Sequence, residues 1–148
     1  MSKKVVKDIK EIEKYLRKID YIIRVEGRAI INQLNITIPQ FTALQILINH
    51  GNMTIGQLSQ RMALACSTVT DLVDRMEKNQ LVVRKKDKND GRLVIVEPLP
   101  KGHEILEQVL IKRREFLGSM LVKLDKEEVD QLRHGLESLY KIMDISEG

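Results

Sequence analysis

TIGQLSQRMALACSTVTDLVDRMEKNQLVVRKKDKNDGRLVIVE, residues 54–97, is the stretch whose reading decides the fold. Thr54-Ile55-Gly56-Gln57 has the hydroxyl and amide spacing of a capping box, in which each side chain satisfies a free backbone donor of the other residue. It opens a short helix reaching about Met62. Ala63-Leu64-Ala65 is a tight turn, and a second helix runs from about Cys66 to Lys78. Its apolar residues Val69, Leu72, Val73 and Met76 recur at i, i+3, i+4 and i+7, which puts them on one inward face. There the period changes. Leu81 to Lys86 and Arg92 to Glu97 read as strands, the second carrying the β-favouring run Leu93-Val94-Ile95-Val96, and Asp87-Lys88-Asn89-Asp90-Gly91 between them reads as a turn. The two strands therefore pair as a hairpin whose cations are Arg84, Lys85, Lys86, Lys88 and Arg92.

Outward from this stretch the chain is helical. Upstream, Thr37-Ile38-Pro39-Gln40 is another capping box with Pro in the first turn. Its helix runs to about Asn49, with Gly51 as a left-handed stop. A long first helix spans about Lys4 to Gln33, with Ile9, Ile12, Leu16, Ile19, Ile23 and Ile30 on one stripe. That alternation of three and four is the seam of a helix packed lengthwise on others. Downstream, helix resumes at Pro100 and continues to about Leu124. Asp125-Lys126-Glu127-Glu128 caps a last helix with Val129, Leu132, Leu136, Leu139 and Met143 in the same alternation. The chain so divides into a long N-terminal helix over residues 1–35, a region of short helices and a hairpin over 36–99, and C-terminal helices over 100–148. The methionines Met53, Met62, Met76, Met120 and Met143 fall mostly at core positions.

Composition narrows the function classes. The chain has 148 residues, 43% hydrophobic and 31% charged, which is enough for one packed domain with oligomerisation helices. Its apolar runs are too short to span a bilayer, and the N-terminus lacks the apolar core of a signal peptide. One cysteine excludes an internal disulfide and suits a reducing cytoplasm. The three histidines are scattered, so no metal site is expected. Aromatic residues, at 3%, are too few for platforms that stack single-stranded nucleic acid. No nucleophile–base constellation, paired carboxylates or phosphate-cradling glycine loop stands out, so neither an enzyme nor a cofactor is expected.

Helix, short turn, helix and basic hairpin, in that order, make a winged helix-turn-helix. The fold class expected is therefore mainly α with a small β-hairpin: a winged helix-turn-helix DNA-binding domain at 36–99 between a long N-terminal dimerisation helix, 1–35, and C-terminal dimerisation helices, 100–148. The first short helix and turn hold the second with Ser67, Thr68, Thr70, Asp71 and Arg75 outward, free to enter a major groove. Small hydroxyl residues at its front let the backbone approach bases and phosphates. The hairpin carries Arg and Lys sideways toward the minor groove or backbone.

The motifs Ile36-Thr37-Ile38-Pro39-Gln40-Phe41, Ser67-Thr68-Val69-Thr70-Asp71-Leu72-Val73-Asp74-Arg75-Met76-Glu77, Leu81-Val82-Val83-Arg84, Asp90-Gly91-Arg92 and Leu99-Pro100-Lys101-Gly102 resemble the MarR family of bacterial transcriptional regulators. The resemblance spans roughly 36–106 and carries several motifs in the right order. It implies a cytoplasmic homodimer on a palindromic, double-stranded operator, usually a repressor, released by a small molecule or oxidant. Small aromatic or phenolic anions are the effectors it suggests; no ligand residue is assigned. On this resemblance Ser67, Thr68 and Thr70 lie at the groove-facing front of the recognition helix. Arg92 is the wing arginine of the minor groove, oriented by Asp90. Arg75, Arg84, Lys86 and Lys88 complete the expected DNA-binding set. The sequence departs from the family at Pro100, where a capping Thr is usual, at Gln80, where Gly is usual, and at Ala65, the N-cap position. With Gln80 in place of Gly, Asn79 is expected to take the left-handed position.

Competing readings attach to several of these residues. Arg75 follows Asp71 by one helical turn and can pair with it. Thr70 can bond back to its own helix. Cys66, at a helix N-terminus, is a candidate for oxidation or glutathione addition that would obstruct DNA, although a half-buried filler at a turn is the commoner role. The organic-hydroperoxide sensors of the family carry their reactive cysteine in the first helix, where this chain has Tyr15 and Tyr21 but no cysteine. A rival function, a winged-helix module that grips a protein and reads no DNA, predicts tolerance to loss of the wing cations.

Overall fold

A computed structural model describes residues 2–147, with side chains described as far as Asp144. In chain order the elements are α1 (Lys3–Asn32), α2 (Ile38–His50), α3 (Ile55–Met62), α4 (Cys66–Lys78), β1 (Val82–Lys86), β2 (Val94–Pro98), α5 (Pro100–Leu121) and α6 (Lys126–Glu147). Residues up to Ile111 form one compact unit, and those from Lys112 on form a second. The fold class is the winged helix-turn-helix expected from the sequence.

The helix starts follow from local chemistry. Gln40 N donates to Thr37 Oγ1 at 3.2 Å while Thr37 N donates to Gln40 Oε1 at 3.1 Å. Thr54 and Gln57 repeat the exchange at 3.1 and 3.0 Å. Asp125 and Glu128 do so at 2.8 and 3.2 Å ahead of α6. Each box satisfies a helix-end donor that would otherwise need water.

Helices α3 and α4 end at Met62 and Lys78 as expected and α5 stops at Leu121, short of about Leu124, while the conformations that close the helices differ more. Gly51 ends α2 at φ 94°, ψ 171°, a conformation open to glycine but outside the left-handed helical region. After α4 the left-handed residue is Gln80 (φ 62°), not Asn79 (φ −86°). The Gln80 and Leu81 amides reach back to Glu77 and Met76 oxygens at 3.0 and 2.9 Å, and these closing bonds fix the turn at Gln80. β2 starts at Val94, later than expected, because the loop closes on itself first. Leu93 N donates to Asp90 O and Asp87 N to Leu93 O, both at 3.0 Å.

The first unit is built around one apolar core. Leu44, Leu47, Leu58, Val69, Val73, Met76, Leu81, Val82, Val96 and Val109 are fully enclosed. β1 and β2 pair antiparallel, with Arg84 opposite Val96 and Lys86 opposite Val94. Met53 adds a single bridge to Val96 (Val96 N to Met53 O, 2.8 Å), tying the base of the hairpin to the segment before α3. Met53 and Met76 are buried as expected, but Met120 and Met143 are 46% and 54% exposed, so they are not core residues in the single chain. In α1 only Ile30 and Ile31 are buried, while Ile9, Ile12, Leu16, Ile19 and Ile23 of the stripe stand exposed. In the second unit Val129 and Leu139 are half-buried, and Leu132, Leu136 and Met143 are exposed.

Candidate nucleic-acid interface

α4 is held by its inner face and leaves its outer face to solvent. Ala63 adopts the left-handed conformation (φ 56°, ψ 43°) at the end of α3, so the chain reverses within Ala63-Leu64-Ala65. Val69, Val73 and Met76 then anchor α4 in the core. Ser67, Thr68, Thr70, Asp71 and Arg75 are all exposed. Thr70 Oγ1 donates to Cys66 O at 2.9 Å, so the hydroxyl proton is engaged within the helix while its oxygen can still accept. No side chain caps the start of α4, where Ala65 is the N-cap. Its first amides are therefore left without a side-chain acceptor at the positive end of the helix dipole, a setting that favours phosphate.

Cys66 is exposed rather than a half-buried filler, and its Sγ lies 3.3 Å from Ser59 Oγ. Ser59 is buried and also donates to Gly56 O at 2.8 Å, which ties the turn between the two helices.

The hairpin tip organises one arginine. Asp90 Oδ1 accepts from Arg92 N and Nε, each at 3.1 Å, and Oδ2 accepts from Nη2 at 3.3 Å. The Arg92 side chain is nevertheless 91% exposed, so a fixed cation projects into solvent. Its hydrogen bonds hold the Asp90 carboxyl below the ordinary carboxylate value. Lys86 and Lys88 are exposed on the same hairpin. Lys85 pairs with Glu97 across the strands, and that contact draws the Glu97 carboxyl down as well.

Arg84 is placed differently from the other cations. Its side chain, 25% exposed, turns back to α4, where Nη1 donates to Glu77 Oε1 at 2.8 Å and Nη2 pairs with Asp74. Neither carboxylate belonged to the set expected from the sequence, because both reach Arg84 only across the turn that follows α4. Lys101 was also missed: its Nζ donates to Asn79 O at 2.9 Å and satisfies a carbonyl where α4 ends. Among the described residues no group of three or more His, Cys, Asp or Glu side chains could hold a metal ion. Nor is any helix among them long and apolar enough to cross a membrane.

Residues 36–94 match the model of the MarR family. Over 129 residues the chain is 50% identical to an uncharacterised HTH-type transcriptional regulator of Bacillus subtilis, YsmB, covering 87% of this chain and 88% of that protein. The chain belongs to the MarR family. A solved MarR family protein from Bacillus stearothermophilus superposes with TM-score 0.82 at 42% identity, covering 97% of this chain and 99% of that one. A transcriptional regulator from Thermotoga maritima gives TM-score 0.82 at 32% identity, with 93% and 96% covered. This MarR protein is a DNA-binding transcriptional regulator and not an enzyme. DNA binding displaces the rival reading of a module that grips only protein.

Proposed function

We propose that this MarR protein acts as a cytoplasmic homodimer on a palindromic operator, represses transcription there, and is released by a small-molecule effector. The reading rests above all on Arg92: a cation 91% exposed yet braced by Asp90 through both carboxylate oxygens. A surface arginine without a target gains little from such bracing, since exposed ion pairs stabilise weakly. Aimed at a minor groove, the same bracing lowers the entropy lost on contact.

In this reading α4 enters the major groove. Ser67, Thr68 and Thr70 meet base edges and nearby phosphates, and Arg75 meets the backbone. Lys86 and Lys88 attract phosphate along the hairpin. The exposed apolar stripe of α1 is covered by a second copy, so two recognition helices address half-sites about 34 Å apart.

The operator can be recovered by selecting bound duplexes from a random pool. Its affinity is expected to fall steeply with salt, as counterion release requires. Arg92→Ala should weaken operator binding by at least about 1 kcal/mol, roughly fivefold, as loss of a groove contact does. Wild-type affinity in that variant would remove Arg92 from the interface, and selection that enriches no palindrome would remove the dimeric operator.

A further inference from the structure

The carboxylates on α4 pose an electrostatic problem. Asp74 and Glu77 sit one turn apart on the helix that this reading places against DNA, where each negative charge opposes phosphate. Both are taken up by Arg84. Its Nη1 donates to Glu77 Oε1 at 2.8 Å, its Nη2 pairs with Asp74, and its backbone N donates to Glu77 Oε2 at 3.0 Å. The planar guanidinium suits this bridging, because its forked donors can serve two carboxylates at once. A hairpin of two strands is marginal alone and takes its position from what it packs on. Val82 and Val96 bury its base in the core, and Arg84 lies two residues beyond Val82 toward the tip. A tie at that point constrains the direction in which the tip, with Arg92, leaves α4.

We propose that Asp74 and Glu77, acting through Arg84, are positioning residues for DNA binding: they set the hairpin relative to α4 so that Arg92 and the recognition helix engage one duplex together. This removes Arg84 from the cations that touch DNA. It rests on the reading of α4 and Arg92 as DNA-contacting, and the test separates the two.

Electrostatics alone and the clamp make opposite predictions for Asp74→Asn. Removing a negative charge beside phosphate should tighten binding if only charge matters. Loosening the hairpin should weaken it. The full-length protein and its selected operator duplex are titrated across a salt series for wild type, Asp74→Asn, Arg92→Ala and the double variant, with folding followed by urea denaturation. The clamp predicts that Asp74→Asn weakens operator binding roughly threefold or more, the scale of coupling between neighbouring groups. On the Arg92→Ala background the same substitution should cause a clearly smaller loss, because the main contact it misplaces is already gone and only the diffuse attraction of Lys86 and Lys88 is left to disturb. Tighter or unchanged binding in Asp74→Asn, or losses that simply add in the double variant, overturns the clamp. If Asp74→Asn is too unstable to titrate, Glu77→Gln, which keeps an acceptor of the same shape, is read by the same two criteria. Loss of binding in Arg92→Ala with none in Asp74→Asn refutes the clamp alone. Wild-type binding in Arg92→Ala refutes the underlying assignment of the hairpin and the clamp with it.

Discussion

Asp90 and Arg92 show how much a two-residue spacing can fix. The carboxylate accepts from the backbone and the side chain of the same arginine, so the pairing needs nothing from the rest of the fold. That is why it was legible in Asp90-Gly91-Arg92 alone. Its pH dependence has a definite sign. A carboxyl whose value is lowered in the folded state stabilises the fold above its unfolded value, close to 3.8, and loses that contribution as pH falls through the lowered folded value. The tip is therefore expected to keep its arrangement throughout the neutral range and lose it only in acid below the ordinary carboxylate titration. Carboxyl carbon shifts followed by NMR should place the Asp90 midpoint below 3.8, and Arg92→Ala should move it up toward that value. A midpoint indifferent to Arg92 would contradict the pairing. Arg84 marks the limit of such reading. In Arg84-Lys85-Lys86 it looks like one more cation of a basic run, and the acids that claim it lie seven and ten positions earlier on another element. Only the turn at Gln80 brings them together.

At the scale of elements, helix starts were legible, as were the last residues of α3 and α4, but the left-handed residue that closes α4 was not. A capping box is a contact between residues three apart, whereas a helix end depends on which residue the following packing forces into a left-handed turn. Gln80 is that residue after α4, and a side chain there carries a steric cost that glycine avoids. Gln80→Gly is expected to raise stability by about 0.5–1 kcal/mol, the conformational gain less the added freedom of the unfolded chain. Gly102 gives the opposite case. A Cβ built there would lie 2.6 Å from Leu81 O and 2.8 Å from Leu44 Cδ2, so α5 can approach the core only without a side chain at this point. Gly102→Ala is expected to destabilise by about 1–3 kcal/mol, as overpacking does. Urea denaturation of the two variants beside wild type checks both signs at once. Nothing local in Leu99-Pro100-Lys101-Gly102 announces this requirement, because Leu81 and Leu44 belong to distant parts of the chain.

For the whole molecule, the sequence displayed an apolar stripe along α1, and most of that stripe stands exposed. Ile9, Ile12, Leu16 and Ile19 recur at helical spacing and each is 40–56% exposed. Apolar surface in a continuous row is costly in water, and the row continues along α1 rather than appearing as scattered single residues. A second copy of the chain would bring an equal stripe in a two-fold arrangement, the commonest form of soluble oligomer. Leu16→Glu tests this directly, since a carboxylate at the centre of a buried seam must be desolvated without a partner. The proposed homodimer predicts that the variant sediments as a single chain at concentrations where wild type sediments as two. Its affinity for the full palindrome should then collapse toward that for an isolated half-site, because the second recognition helix no longer benefits from the first having bound. The same substitution leaves α4 and the hairpin untouched, so half-site binding should survive with its salt dependence and its sensitivity to Arg92→Ala. A variant that stays dimeric, or that loses half-site binding as well, would place the covering of α1 elsewhere.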